Sequence, residues 1–282
     1  MNEDLIVALG ARRYRVDRPF GDLPGGPAMV TDVAVDKQGC VLVLLRRDPL
    51  CSAPAPSVIQ LAPDGTRVSE WGAEIADAHM LNVHTNGRIY VVDRDAHEVV
   101  IFENGGRTGA LGLRDQPGKP FNHPTDIAFM PDGRIAVADG YGNGHVHVFS
   151  SDGKHLSTFG EVGSKPGCFL TPHSIWPIGE NRIAVADREN HRVQVFELDG
   201  TLVEVWDGFF RPLAIWGDNG GHLYVTDSIP SLTLMTENGR RLGRCRPVLN
   251  GAHGISGDTK SGVLYLAEGN PSRVTRLVPM PD

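Results

Sequence analysis

Cysteine is scarce in this chain of 282 residues: Cys40, Cys51, Cys168 and Cys245 stand far apart, with no CxxC pair. That excludes a disulfide-built scaffold and a zinc-ribbon site, and the four read as reduced thiols of a cytoplasmic protein. The N-terminus lacks the charged stretch and apolar core of a secretory leader, which fits the same compartment. No apolar run reaches the ~18 residues of a membrane span. There is no basic run, and the net charge is -7, so nucleic acid is excluded as an expected partner. No Walker A, GxGxxG, HExxH or GxSxG string stands in a suitable context. No segment sustains a 3.6-residue apolar period, so little helix is expected.

What the chain does contain is a repeat. The unit reads apolar run, short turn, apolar run ending in an acid, loop, apolar run, turn, and a last short run. Its plainest copies span His123 to Gly160 and Thr171 to Trp206. Others run from Met29, from His79 to Gly112, from Arg211 to Cys245, and from Ala252. The strand-ending acid recurs at Asp93, Asp139, Asp187, Asp227 and Glu268, in steps of 46, 48, 40 and 41 residues. Four short strands per unit at that period, separated by DG, NG and GG turns, predict an all-β, six-bladed β-propeller. It should form a single domain over residues 1–282; the 34 glycines and 20 prolines suit its many turns. The sixth unit is one strand short. The stretch Leu5 to Gly10 is expected to supply it, closing the ring and leaving no open sheet edge.

The repeat also serves as a ruler. Eight residues before the first turn lie His79 and His173, and nine before a longer turn lies His253. The other units hold Thr31, Thr125 and Leu213 there. Histidine thus occupies units 2, 4 and 6, about 120° apart around a channel. Three neutral imidazoles converging on one point can hold a divalent ion and leave a fourth position open, the pattern of catalytic zinc. Each histidine could instead cap its strand through a backbone carbonyl, but strict alternation favours the metal. The residues after the strand-ending acid open a loop on the same face. Arg188 lies there in unit 4, and Gly140 followed by Tyr141 in unit 3. In unit 1, Leu45 replaces the acid and Arg46 follows. Two guanidiniums can grip a carboxylate. A phenol among cations gives up its proton more readily and can act as a base. His97, His123 and His191 read as structural, as do His145 and His147, an HxH pair with no third ligand nearby in sequence.

The string RENHRVQVF (Arg188 to Phe196) resembles the NHL repeat. VADGYGNGHV around Tyr141, TPHSI around His173 and VADRENHRVQ around Arg188 resemble the peptidyl-α-hydroxyglycine α-amidating lyase family. AHMLNVHTNG around His79, LLRRD around Arg46 and AHGIS around His253 add weaker matches. The likeness runs from Met29 to Glu268. It implies a catalytic zinc on His79, His173 and His253, Tyr141 as base, and Arg46 and Arg188 as active-site arginines. The chain also departs from that family. Gly254 stands where the family has a calcium-binding Asp, which argues against a structural Ca2+. Gly251 replaces a Met, and Gly142 replaces a half-cystine.

These residues predict a zinc-dependent, or other first-row-metal, lyase acting on a small hydroxylated substrate that carries a carboxylate. A hydrolase or hydratase could use the same three histidines. A non-catalytic NHL scaffold is the competing class, though alternating histidines have no purpose in one. A calcium lactonase-type propeller would need carboxylates and Asn where this chain has histidine. A small molecule is the expected partner, and a monomer or weak homo-oligomer the expected state.

Overall fold

A computed structural model describes residues 5–48 and 53–281. Its strands form six antiparallel sheets around a channel. The four central strands of each repeat alternate apolar and polar residues where one face is open. The inner ones, such as Val41–Arg46 and Ile135–Asp139, are apolar on both faces because they lie between neighbouring blades. The innermost strands are Met29–Val35, Ala78–Val83, Pro124–Phe129, Pro172–Ile178, Pro212–Gly217 and Ala252–Gly257. Each touches the next, and the last touches the first. Between blades the apolar side chains pack into separate clusters, for example Ala128, Ile175, Val185 and Phe196 between blades 3 and 4. Burying such a side chain contributes roughly 1.5–3 kcal/mol, so the ring is held by blade-to-blade packing as well as by sheet hydrogen bonds. The one helical segment among the described residues is a single 3-10 turn, Arg188–Asn190. Among the described residues no helix is long and apolar enough to cross a membrane.

Ring closure by the N-terminal segment holds, with a shift of one strand. Arg12–Phe20, not Leu5 to Gly10, pairs with Ser272–Pro279 and completes blade 6. Ile6–Leu9 folds back outside it as a fifth strand. Gly10, at φ 60°, makes the tight turn that reverses the chain between them, a backbone region that glycine enters without steric cost. Cys40, Cys168 and Cys245 are free; Cys51 lies outside the described residues.

Candidate metal centre

All six innermost strands share one irregularity. The register against the second strand slips between Val30 and Asp32, Ala78 and Leu81, Pro124 and Asp126, Pro172 and Ser174, Pro212 and Ile215, and Ala252 and Gly254. A bulge leaves a residue unpaired in its own sheet and re-aims its side chain. The residues left out of the pairing include Thr31, His79, Thr125, His173, Leu213 and His253, the ruler position of the repeat.

The three histidines meet. Their ring centroids form a triangle of 4.9 Å on every side, and one nitrogen of each lies within 4.8 Å of the others. His79 and His173 are wholly buried, and His253 is partly open. Each Nδ1 bonds the ruler-position carbonyl of the next blade: His79 to Thr125 at 2.7 Å, His173 to Leu213 at 2.6 Å, His253 to Thr31 at 2.8 Å. A carbonyl only accepts, so each Nδ1 carries the proton and each Nε2 keeps a lone pair. The same ring therefore caps its neighbour through Nδ1, and the carbonyl it bonds fixes the tautomer that a metal ligand would need. Burial lowers all three basicities. His79 and His173 fall well below the ordinary histidine value, each helped by the neighbouring imidazoles. His253 is pushed down to about 4 by burial, with Arg188, Arg46 and Arg94 adding to it. Three neutral, pre-oriented imidazoles fit a divalent first-row ion.

Tyr141 stands over this triangle. Its hydroxyl lies 3.1 Å from His79 Nε2 and 3.2 Å from His173 Nε2, and it accepts from Arg188 at 3.0 Å. Its loop is wedged between blades 3 and 4: a Cβ on Gly140 would collide with the Pro172 carbonyl of blade 4, and one on Gly142 with Asn122 of its own blade. Glycine on both sides is what lets the phenol reach the axis. Arg188 also bonds Glu189 at 2.8 Å, so its surface pairing and its contact with Tyr141 coexist.

Arg46 reaches the same face but is engaged. It pairs with Asp77, a buried carboxylate that Arg94 also holds at 2.7 Å. Burial raises Asp77 to about 6 against the pull of the two guanidiniums. Arg94 lies over the Tyr141 ring at 5.0 Å from its centroid, and Arg188 lies 5.2 Å from the same centroid. Sequence reading missed both residues. Arg94 follows Asp93 and so occupies the ruler place that picked out Arg46 and Arg188. Asp77 gives no comparable signal, because one of its two arginine partners, Arg46, is brought to it from the neighbouring blade.

His97 and His191 each accept a backbone N–H, from His123 and Arg211 at 3.1 Å, which agrees with a structural role. A Cβ on Gly254 would run into Asp32, so the place of a side chain there is taken. Asp32 in turn accepts the Leu81 N–H at 2.8 Å. A cavity of about 670 Å³ opens at the other end of the channel, lined by Asp32, Asp126, Trp176 and Trp216. It contains none of the three histidines.

Sequence and geometry together define an NHL-repeat six-bladed β-propeller with a three-histidine cluster on its axis; the NHL repeat model matches residues 121–149 and 178–196. More particularly, the chain is homologous to α-amidating lyases over part of its length. Mouse (Mus musculus) peptidyl-glycine alpha-amidating monooxygenase is 40% identical over 133 residues, 43% of this chain. A probable peptidyl-alpha-hydroxyglycine alpha-amidating lyase of Caenorhabditis elegans is 34% identical over 138 residues, 46% of this chain and 39% of its own length. The chain spans a small part of the first of these, 14% of its length. Mouse NHL repeat-containing protein 3 aligns more fully, over 88% of this chain and 78% of its own, at 27% identity. Among solved structures, a streptogramin B lyase superposes with a TM-score of 0.67 at 14% identity, over 95% of this chain and 98% of its own. A Xanthomonas campestris gluconolactonase gives 0.74 at 15%, over 99% and 96%. These two speak for the fold alone.

Proposed function

We propose that the protein is a metal-dependent lyase, with zinc or another first-row ion on His79, His173 and His253, that cleaves a small hydroxylated substrate bearing a carboxylate. The observation that carries the reading is the placement of Tyr141 against two free Nε2 atoms and a guanidinium. A phenol there can serve whatever substrate oxygen approaches the three histidines.

The ion supplies Lewis acidity toward an oxygen of the substrate. The rest falls to side chains. Arg188 and Arg94, both against the phenol ring, hold the carboxylate; Arg46 is linked to Arg94 through Asp77. With its own proton given up beforehand, Tyr141 as the phenolate takes the proton of the substrate hydroxyl. For a carbinolamide, the C–O bond becomes a carbonyl as the C–N bond breaks, and the electron pair goes to nitrogen. Tyr141 returns the proton there, leaving an amide and glyoxylate. The balance needs no water and no oxidant.

The homology to amidating lyases favours this chemistry over hydrolysis or hydration on the same histidines. A pure scaffold, the reading that the fuller alignment to NHL repeat-containing protein 3 keeps in play, leaves the buried imidazole triangle without a use. Three free cysteines fit a reducing compartment, and the ligand is a small molecule. N-benzoyl-α-hydroxyglycine is a minimal probe. Release of glyoxylate that stops on chelation and returns with zinc supports the lyase; no release with any first-row ion counts against it.

A further inference from the structure

The acid that ends the second strand does the same work in every blade that has one. It caps a loop N–H, as Asp187 caps Leu170 at 2.8 Å and Asp139 caps Asn122 at 2.8 Å. It then needs a counter-charge, since a buried carboxylate without one is costly. Four blades supply arginine: Arg114 on Asp93 at 3.3 Å, Arg192 on Asp187 at 2.8 Å, Arg244 on Asp227 at 3.7 Å and Arg273 on Glu268 at 2.8 Å. Blade 3 differs. Asp139 is wholly buried, and among the described residues no arginine or lysine pairs with it. Its side-chain partners are Asn143 at 2.7 Å and His147 at 3.3 Å.

The register shows what has replaced the arginine. In blade 4, Arg192 and Gln194 stand opposite Asp187 and Val185, and both donate to Asp187 Oδ2, at 2.8 and 3.0 Å. In blade 3 the same places, opposite Asp139 and Val137, hold His145 and His147. Two donors have become two imidazoles. His147 is buried, and its Nδ1 meets Thr158 Oγ1 at 2.8 Å, a hydroxyl that also meets His155 Nε2 at 3.0 Å. Without a cation, His147 Nε2 donates to Asp139 and Thr158 donates to Nδ1; with one bound, Thr158 instead accepts from Nδ1 and donates to His155, which frees the Nε2 lone pair for the ion. Asp139, His145 and His147 each present a ligand atom within 4.8 Å of the other two.

We propose that Asp139, His145 and His147 form a second divalent-cation site, separate from the three-histidine centre, that takes a zinc-class first-row ion. The ion stands where four other blades place a guanidinium. Two imidazoles and one carboxylate are a ligand set for such metals rather than for calcium or magnesium. Asp139 and His145 also bracket residues 140–144, the loop that carries Tyr141, so the ion ties both ends of that loop. The two-histidine pair read from sequence as lacking a third ligand finds it in the acid of its own blade.

The test compares the full chain with a His145→Arg/His147→Gln variant, which installs the blade 4 pair and keeps a counter-charge for Asp139. Both are stripped with a chelator and titrated with zinc, with bound metal measured by plasma mass spectrometry. The expected result is one equivalent fewer in the variant, at unchanged secondary structure by circular dichroism. If that variant does not fold, His145→Ala must weaken the same binding event at least tenfold. Equal zinc in all three proteins overturns the site. So does a wild type whose zinc is lost entirely on His79→Ala. A wild type holding one equivalent that vanishes in His145→Arg/His147→Gln supports this site while removing the metal from the three-histidine centre, so the two readings fail separately.

Discussion

Replacing Tyr141 by Phe removes one oxygen and leaves the ring. That oxygen has three partners, at 3.0 to 3.2 Å, two of them imidazole nitrogens and one a guanidinium. Tyr141 is 36% exposed, so water can replace the lost bonds and global stability should change by less than about 1 kcal/mol. The His79 and His173 carbonyl bonds do not involve Tyr141, so the imidazoles stay oriented and metal content should stay the same. Turnover is another matter. A positioned general base contributes roughly 10²–10⁴-fold, or about 3–5 kcal/mol of transition-state stabilisation. The assay is glyoxylate release from N-benzoyl-α-hydroxyglycine at saturating metal. Tyr141→Phe should lower kcat by that factor with KM nearly unchanged, because Arg188 and Arg94 remain. A variant with full kcat and full metal content refutes the assignment of Tyr141 as base.

Asp77→Ala frees Arg46 and Arg94 from a buried partner and should cost about 2–3 kcal/mol by chemical denaturation; a neutral result would mean the pair is only a surface contact. Arg94→Ala should raise KM for carboxylate-bearing probes more than tenfold while leaving zinc bound, and an unchanged KM would remove Arg94 from the site. Gly254→Asp forces a side chain onto Asp32 and should destabilise by about 1–3 kcal/mol, read as a lower melting temperature; an equal or higher one would contradict the crowding. His253 protonates near pH 6.5 in the unfolded chain but at about 4 when folded. The unfolded state therefore binds more protons between those values, and the metal-free protein loses stability as pH falls through that window, by up to about 3 kcal/mol. Asp126, raised by burial to about 7, acts in the opposite direction, so the measurement is the difference between wild type and His253→Gln at pH 7.5 and 4.5. The same difference at both pH values would contradict the shift.

The fold was legible because the repeats restate it: the turn and the apolar runs recur in all six units and the strand-ending acid in five, and together they outweigh any single ambiguous strand. The end of the ring was read one strand off, because Leu5 to Gly10 and Arg12–Phe20 are equally strand-like and only the turn at Gly10 decides which is outermost. The three histidines were legible through their spacing. What spacing could not show is the bulge that turns each of them into the channel, or the carbonyl of the next blade that sets its tautomer. Those depend on contacts between blades. Arg94 was within reach of the ruler. Asp77 was not, since it matters only once Arg46 and Arg94 are brought to it from two blades. Likewise Asp139 looked like one more strand-ending acid until the place of its missing arginine was seen to hold imidazoles.

The central claim is that His79, His173 and His253 hold a metal together. Its most direct test is metal content of the purified chain beside a His79→Ala/His173→Ala/His253→Ala variant, in a blade 3 background of His145→Arg/His147→Gln so that only the axial site counts. One equivalent of a first-row ion in the parent and none in the triple variant is the predicted result. Equal metal in both, or none in the parent after saturation with zinc, cobalt, iron and manganese in turn, would contradict it.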